Sequence, residues 1–311
     1  MMKIAFVFPG QGSQSVGMLD AWGDVPQVAQ TVAQASAALG QDLGGLIASG
    51  PADQLNLTTN TQPAMLTAAV AMYRAWVAAG GPEPSIVAGH SLGEYSALTA
   101  AGALELDDAV RIVRIRADAM QSAVPVGVGA MAAILGLDDE AVKAVCGQAA
   151  QGDMVEAVNF NAPAQVVIAG HKTAVERACE LAAQAGAKRA LVLPVSAPFH
   201  SRLLEPAAIA LGNALAKVAM AAPRIALINN VDVASPGEPA AIQDALVRQA
   251  WHPVRWVETI QAMKRQGVTH VVECGPGKVL TGLTRRIDRD LVNLNIGDPA
   301  SLQATLAAIK G

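Results

Sequence analysis

The stretch that most constrains this chain is Ser85-Ile86-Val87-Ala88-Gly89-His90-Ser91-Leu92-Gly93-Glu94-Tyr95-Ser96. Ile86 to Ala88 is a short continuous apolar run, as in a strand buried on both faces. Leu92 to Ala101 reads as a helix that Gly102 is suited to end. Between them stands Gly89-x-Ser91-x-Gly93, the pattern of a sharp strand-to-helix elbow with a serine at its strained tip. The glycines leave room for the turn and for close packing of helix on strand. The serine also faces the free N–H groups and positive dipole end of a helix, which favour developing negative charge. Two readings follow, a nucleophile or an ordinary turn serine in a glycine-rich chain; the flanking strand and helix favour the nucleophile.

A chain of 311 residues buries a substantial core, as one large domain or as one domain carrying an insertion. It is 52% hydrophobic but only 3% aromatic, so Ala, Val, Leu and Ile must build that core, which suits close helix–sheet packing. A net charge of -4 with no long basic run argues against nucleic acid as a ligand. Cys146, Cys179 and Cys274 are far apart, odd in number and without a Cys-x-x-Cys. They indicate neither a disulfide framework nor a metal site, and they fit a reducing compartment. Pro9-Gly10 cuts off the apolar run Ile4 to Phe8 too early for a signal sequence, and no run is long enough for a bilayer. The expectation is a cytoplasmic protein without a membrane association.

Lys3 to Phe8 is expected to be a buried strand, followed by the loop Pro9-Gly10-Gln11-Gly12-Ser13-Gln14. The loop meets neither the Gly-x-Gly-x-x-Gly nor the Gly-Lys-Ser/Thr phosphate pattern. It does stand at a strand's C-terminal edge, where α/β sheets place ligand groups. Gln11 there either aims its amide at a site or braces the turn. Helices are expected over 27–39 and 61–79, the second with Pro63 in its first turn. In a helix over 107–124, Ala109, Ile112, Val113, Arg116 and Met120 share one face, and Arg114 and Asp118 are spaced for an exposed i,i+4 pair. Arg116 sits among apolar neighbours and needs an anion, either a core carboxylate or the carboxylate of a substrate.

Between 129 and 195 the alternation changes. Strands over 130–137, 154–160, 165–169 and 189–195, with helices over 138–150 and 173–185, give the β-α-β-β-α-β order of the ferredoxin-like unit. The expected fold class is therefore α/β. A large domain over 1–126 and 198–311 carries a mostly parallel sheet, and a small ferredoxin-like domain is inserted at 127–197. His200 follows in a loop, before a helical stretch over 202–220. Alone, a loop histidine reads as a structural group; beside an elbow serine it is the leading candidate for a general base. The remaining chain alternates strands over 224–229, 269–273 and 291–296 with helices over 240–250, 254–264, 278–286 and 301–310.

Taken in order, six pieces resemble the malonyl-CoA:acyl carrier protein transacylases along the whole chain. They are Gly10-Gln11-Gly12-Ser13-Gln14, Gly89-His90-Ser91-Leu92-Gly93-Glu94-Tyr95, Arg116 with Met120, Pro194-Val195-Ser196 with His200, Gln249 before Pro253-Val254, and Gly275-Pro276-Gly277-Lys278-Val279-Leu280. The resemblance implies a hydrolase-like α/β domain with a ferredoxin-like insertion, and acyl transfer by a ping-pong route. Ser91 attacks the thioester of malonyl-CoA while His200 takes its proton; the phosphopantetheine thiol of acyl carrier protein then takes the malonyl group. The resemblance also implies that main-chain carbonyls near Gln249 orient His200, that N–H groups of Gln11 and Leu92 hold the oxyanion, and that Arg116 binds the malonyl carboxylate. Met120 and Phe199 are implied as substrate-pocket residues, Phe199 being similar to its counterpart in malonyl-preferring domains of polyketide synthases. Ala117 departs from the glycine that many relatives carry after the arginine, a mild change on a helix. No cofactor is implied. The expected partners are malonyl-CoA and acyl carrier protein, and the expected state is a monomer. Lys278, Arg285, Arg286 and Arg289, or Lys188 with Arg189, are candidate docking points for an acidic carrier; scattered solvated charge is the alternative.

The competing readings are a serine thioesterase or esterase on the same elbow, a trans-acting acyltransferase of a polyketide pathway, and a non-catalytic carrier-docking module. The hydrolases run serine, acid, histidine, with the histidine late in the chain; here a long stretch follows His200. An inward arginine serves malonate and not a neutral acyl group, and Ser91, His200 and Arg116 together argue against a docking module.

Overall fold

The computed structural model describes residues 2–195 and 197–311, so Ser196 of the Pro194-Val195-Ser196 run lies outside the described residues. Among those described, the strands are β1 (Ile4–Phe8), β2 (Ile86–Gly89), β3 (Gly129–Leu135), β4 (Val155–Ala162), β5 (Gln165–His171), β6 (Arg189–Val192), β7 (Ala226–Ile228), β8 (His270–Cys274) and β9 (Val292–Ile296). Five of them form a parallel sheet in the order β7-β2-β1-β8-β9. Phe8 pairs with Gly89, so the chains leaving β1 and β2 emerge side by side at the C-terminal edge.

Every residue of β1 and β2 is buried, as the uninterrupted apolar runs require of strands covered on both faces. Ile4, Phe6 and Phe8 enter one core, while Ala5 and Val7 enter another, following the two-residue period of a strand. Helices Pro26–Leu39, Thr58–Ala78, Gly93–Ala100, Leu106–Ser122 and Glu205–Leu215 fill the first core. Trp256–Arg265 and Val279–Ile287 fill the second. Small side chains allow this close stacking: Ala64, Ala68, Ala69 and Ala71 of one helix are all fully buried.

The second sheet is antiparallel, in the order β4-β5-β3-β6. Helices Asp139–Ala150 and Lys172–Gln184 cover one of its faces. Its other face carries Met131, Val158, Val167 and Ala169, with Leu193, Val195 and Phe199 packed on them. Val254 ties the two sheets together: its N–H donates to Val158 (2.8 Å) and its carbonyl accepts from Phe160 (3.0 Å).

Three local expectations are corrected. The helix expected from Thr61 begins at Thr58, because the Leu57 carbonyl already accepts from Asn60 and Thr61; Pro63 thus falls in the second turn. The helical stretch over 202–220 divides into a tight turn, Arg202–Leu204, and the helix Glu205–Leu215. Lys217 and Val218 bond three residues back, and Ala221 and Arg224 then donate to Ala103 and Ala101, which draws the chain out of the helix. Arg114 does not pair with Asp118; it is half-buried and donates to Gln41 (2.5 Å) and Asn60 (3.3 Å). The short helices Leu43–Ser49 and Ala52–Leu55 escaped the sequence reading, being too short to show a period. No helix among the described residues is long and apolar enough to cross a membrane.

Candidate active site

Ser91 stands two residues beyond β2 with φ at 53°, in the left-handed region that a non-glycine residue rarely occupies. A Cβ on Gly89 would fall 1.8 Å from the carbonyl carbon of Gly93, and one on Gly93 would fall 2.0 Å from the Phe8 oxygen. Only glycine fits both places, which is why the elbow packs so tightly on β1. The Ser91 N–H donates to Asn230 Oδ1 (2.7 Å), and Asn230 Nδ2 donates to the Gly89 carbonyl (2.7 Å). The strained tip is thus fastened to the chain leaving β7.

His200 arrives from the loop after the second sheet, also at positive φ (65°) and buried. Its Nε2 lies 2.7 Å from Ser91 Oγ and its Nδ1 lies 2.8 Å from the main-chain oxygen of Gln249. A carbonyl only accepts, so Nδ1 carries the proton and Nε2 is left to receive one from the serine. Burial, and then the charge of Arg116, push the imidazole pKa down to about 3, which keeps it neutral, with Nε2 unprotonated, at physiological pH.

Arg116 is 2% exposed and lies over the ring of Tyr95. Its Nη1 donates to Gln62 Oε1 (2.6 Å), and its Nη2 donates to Gln249 Oε1 (3.0 Å) and Ser91 Oγ (3.0 Å). It makes no direct ion pair with a carboxylate among the described residues; the buried Glu94 acts on it only from a distance, through Gln249. A buried guanidinium held by neutral groups offers a charge that an anionic substrate can match.

These groups open on a cavity of about 230 Å³. Ser91, His200 and Arg116 line it together with Met131 and Val167 of the second sheet and Phe199, which packs on that sheet from the loop before His200. An alcohol bonded to a neutral imidazole, with a buried cation on the same oxygen, is equipped to accept and release an acyl group that carries a carboxylate.

The chain matches the acyl transferase domain family over residues 5–291. It is 55% identical over 307 residues to the malonyl CoA-acyl carrier protein transacylase of Escherichia coli strain K12, covering 98% of this chain and 99% of that one. The chain belongs to the malonyl CoA-acyl carrier protein transacylase family. Solved structures agree. An acyl-carrier-protein S-malonyltransferase from Burkholderia pseudomallei 1710b superimposes with a TM-score of 0.97 at 67% identity, covering 98% of this chain and 100% of that one. A malonyl-transacylase in complex with a type II PKS acyl-carrier protein does so with a TM-score of 0.97 at 50% identity, covering 98% and 99%.

In this transacylase Gln11 and Leu92 line the same cavity as Ser91, and neither N–H has an acceptor among the described residues. The Gln11 side chain braces its loop, since its Oε1 accepts from the Thr58 hydroxyl (2.7 Å). Met120 does not line the cavity; it is buried beneath Gln62, with Nε2 3.9 Å from its sulfur. Gln249 is fully buried behind His200 and Arg116. Sequence reasoning missed Gln62, Glu94 and Asn230. Asn230 was visible as part of a polar pair at the C-terminal end of a strand, whereas Gln62 is masked by the polar run Thr58-Thr59-Asn60-Thr61 that precedes it. Glu94 gave no such signal.

Proposed function

We propose that this chain transfers a malonyl group from malonyl-CoA to the phosphopantetheine thiol of acyl carrier protein, in fatty-acid biosynthesis, through a malonyl ester on Ser91. The observation that carries the reading is that one oxygen, Ser91 Oγ, touches both the His200 base and the Arg116 cation. His200 Nε2 takes the hydroxyl proton as Oγ attacks the thioester carbon, and the Gln249 carbonyl holds the ring in the tautomer this requires. The tetrahedral oxyanion is received by the N–H groups of Gln11 and Leu92, an aligned donor being worth about 3 kcal/mol in the barrier. His200 returns the proton to the departing CoA thiolate. In the second half-reaction it takes a proton from the carrier thiol and gives it back to Ser91 Oγ. Arg116 binds the malonyl carboxylate throughout, which a thioesterase for neutral acyl groups would not need.

The β-α-β-β-α-β order and the β4-β5-β3-β6 arrangement support a ferredoxin-like small domain at 127–197, inserted in a hydrolase-like domain over 1–126 and 198–311. Phe199, which lines the cavity, limits the acyl group to malonyl size; Met120 acts from beneath by supporting Gln62. The thioester is already activated, so the reaction calls for no cofactor. Lys278, Arg285 and Arg289 are exposed on or beside the helix Val279–Ile287, whose Val279 and Leu283 line the cavity. This supports that face as the docking surface for an acidic carrier, in preference to Lys188 and Arg189. The protein acts as a cytoplasmic monomer without nucleic acid. The test is to mix protein, malonyl-CoA and carrier bearing its phosphopantetheine arm. Malonylated carrier should form as CoA is released; CoA release at the same rate without carrier would make the protein a hydrolase instead.

A further inference from the structure

No carboxylate contacts His200 or Arg116 among the described residues, yet one lies a single side chain away. Glu94, in the first turn of the elbow helix, is 1% exposed. Its Oε2 accepts from Gln249 Nε2 (3.0 Å) and from the Asn230 N–H (3.0 Å). The other end of that same Gln249 amide accepts from Arg116, and the Gln249 main-chain carbonyl accepts from His200. Asn230 meanwhile holds the Ser91 N–H. A helix-capping carboxylate would turn to the free N–H groups of its own helix; this one turns away, to the two residues that fix the nucleophile and the base.

We infer that Glu94 is the acid of this site, a positioning residue that acts through Gln249 and supplies the negative charge that His200, bonded only to a carbonyl, lacks. The inference deepens the acyl-transfer reading and rests on it. When Ser91 Oγ bonds to the acyl carbon, its proton moves to His200 Nε2, and an imidazolium forms in the same buried pocket as the Arg116 cation. A carboxylate one amide away offsets that pair of like charges, in surroundings where screening is weak. The same compensation recurs when the carrier thiol gives its proton to His200. Glu94 exchanges no atom in either half-reaction.

The charged groups that face Glu94 are Arg116, from the helix Leu106–Ser122, and Asp232, from the turn after β7. Asp232 is itself paired with Arg248 (2.7 Å). Burial outweighs the stabilising hydrogen bonds and pushes the Glu94 carboxyl up to about 7. Its ionisation therefore falls in the range where His200, held far lower, no longer titrates.

The test is single-turnover acylation of wild type, Glu94→Gln and Glu94→Asp by malonyl-CoA and by acetyl-CoA between pH 5 and 9. The glutamine oxygen still accepts from Gln249 and Asn230, so the variant folds but has lost the charge. Its acylation rate should fall roughly 10- to 100-fold for both acyl groups, with malonyl-CoA affinity within about threefold of wild type. The wild-type rate should rise with pH through about 7; that rise should vanish in Glu94→Gln and return in Glu94→Asp. An undiminished rate in Glu94→Gln, a loss confined to malonyl-CoA, or identical pH profiles in all three proteins would each overturn the inference. If Glu94→Gln does not fold, Glu94→Asp decides: an intact rise near neutral pH supports the role and a flat profile refutes it. Wild type that takes no label from malonyl-CoA would instead sink the acyl-transfer reading itself.

Discussion

Arg116 Nη2 lies 3.0 Å from Ser91 Oγ, so the buried cation touches the very atom on which we propose the acyl group is carried. A malonyl ester on that oxygen has its free carboxylate only two carbons from the ester carbonyl, within reach of the guanidinium. Arg116→Ala should therefore lower kcat/KM for malonyl transfer roughly 100-fold or more, and acetyl transfer less than about tenfold, because acetate offers nothing to pair. Parallel assays with the two thioesters check this. Equal losses would mean that Arg116 serves only to hold Gln62 and Gln249.

His200→Ala removes the acceptor of the serine proton. Acylation should slow by roughly two to four orders of magnitude, read as the rate of CoA release in the first turnover. Because burial and Arg116 hold the wild-type imidazole neutral down to about pH 3, this base should not be lost between pH 5 and 7. Near-normal acylation by the variant would assign the proton to another group.

Much of this was legible in the sequence because it depends on local pattern. The apolar runs of β1 and β2, the paired glycines of the elbow and the inward position of Arg116 on its helix are all written in spacing. The partners of those residues are not. Gln62 and Gln249 meet Arg116 from helices remote in sequence, and Glu94 reaches Asn230 across 136 positions. Such contacts arise only when the sheet order β7-β2-β1 brings the ends of distant strands together. Arg114 failed as a predicted partner of Asp118 for the same reason: a neighbouring helix and loop offered Asn60 and Gln41, which spacing alone cannot show.

The elbow makes a prediction about folding. A methyl group at Gly89 or Gly93 would overlap main-chain atoms, which cannot swing aside as a flexible side chain can. Gly89→Ala and Gly93→Ala should each destabilise the protein by about 3 kcal/mol or more, measured by urea denaturation. A variant of wild-type stability would show that β1 and the elbow helix can separate without cost.

Two buried groups impose opposite pH dependences on stability. His200 falls from its ordinary 6.5 to about 3 in the fold, so the unfolded chain binds the extra proton and stability rises with pH across that window. Glu94 rises from 4.5 to about 7, so the folded chain binds the extra proton and stability is lost as pH climbs through that range. The two slopes oppose one another between pH 4.5 and 6.5. In Glu94→Gln the falling slope is gone, so the Tm of this variant relative to wild type should increase from pH 4.5 to 7, by several degrees in all. A difference that stays constant with pH would place the Glu94 carboxyl at its ordinary value.

The most direct measurement is the mass of the Ser91 peptide after brief exposure to malonyl-CoA and quenching in acid. One malonyl group should be found on the peptide that contains Ser91, lost when carrier thiol is added before the quench, and absent in Ser91→Ala. An unmodified Ser91 peptide, or equal labelling of Ser91→Ala, would contradict a malonyl ester at the elbow.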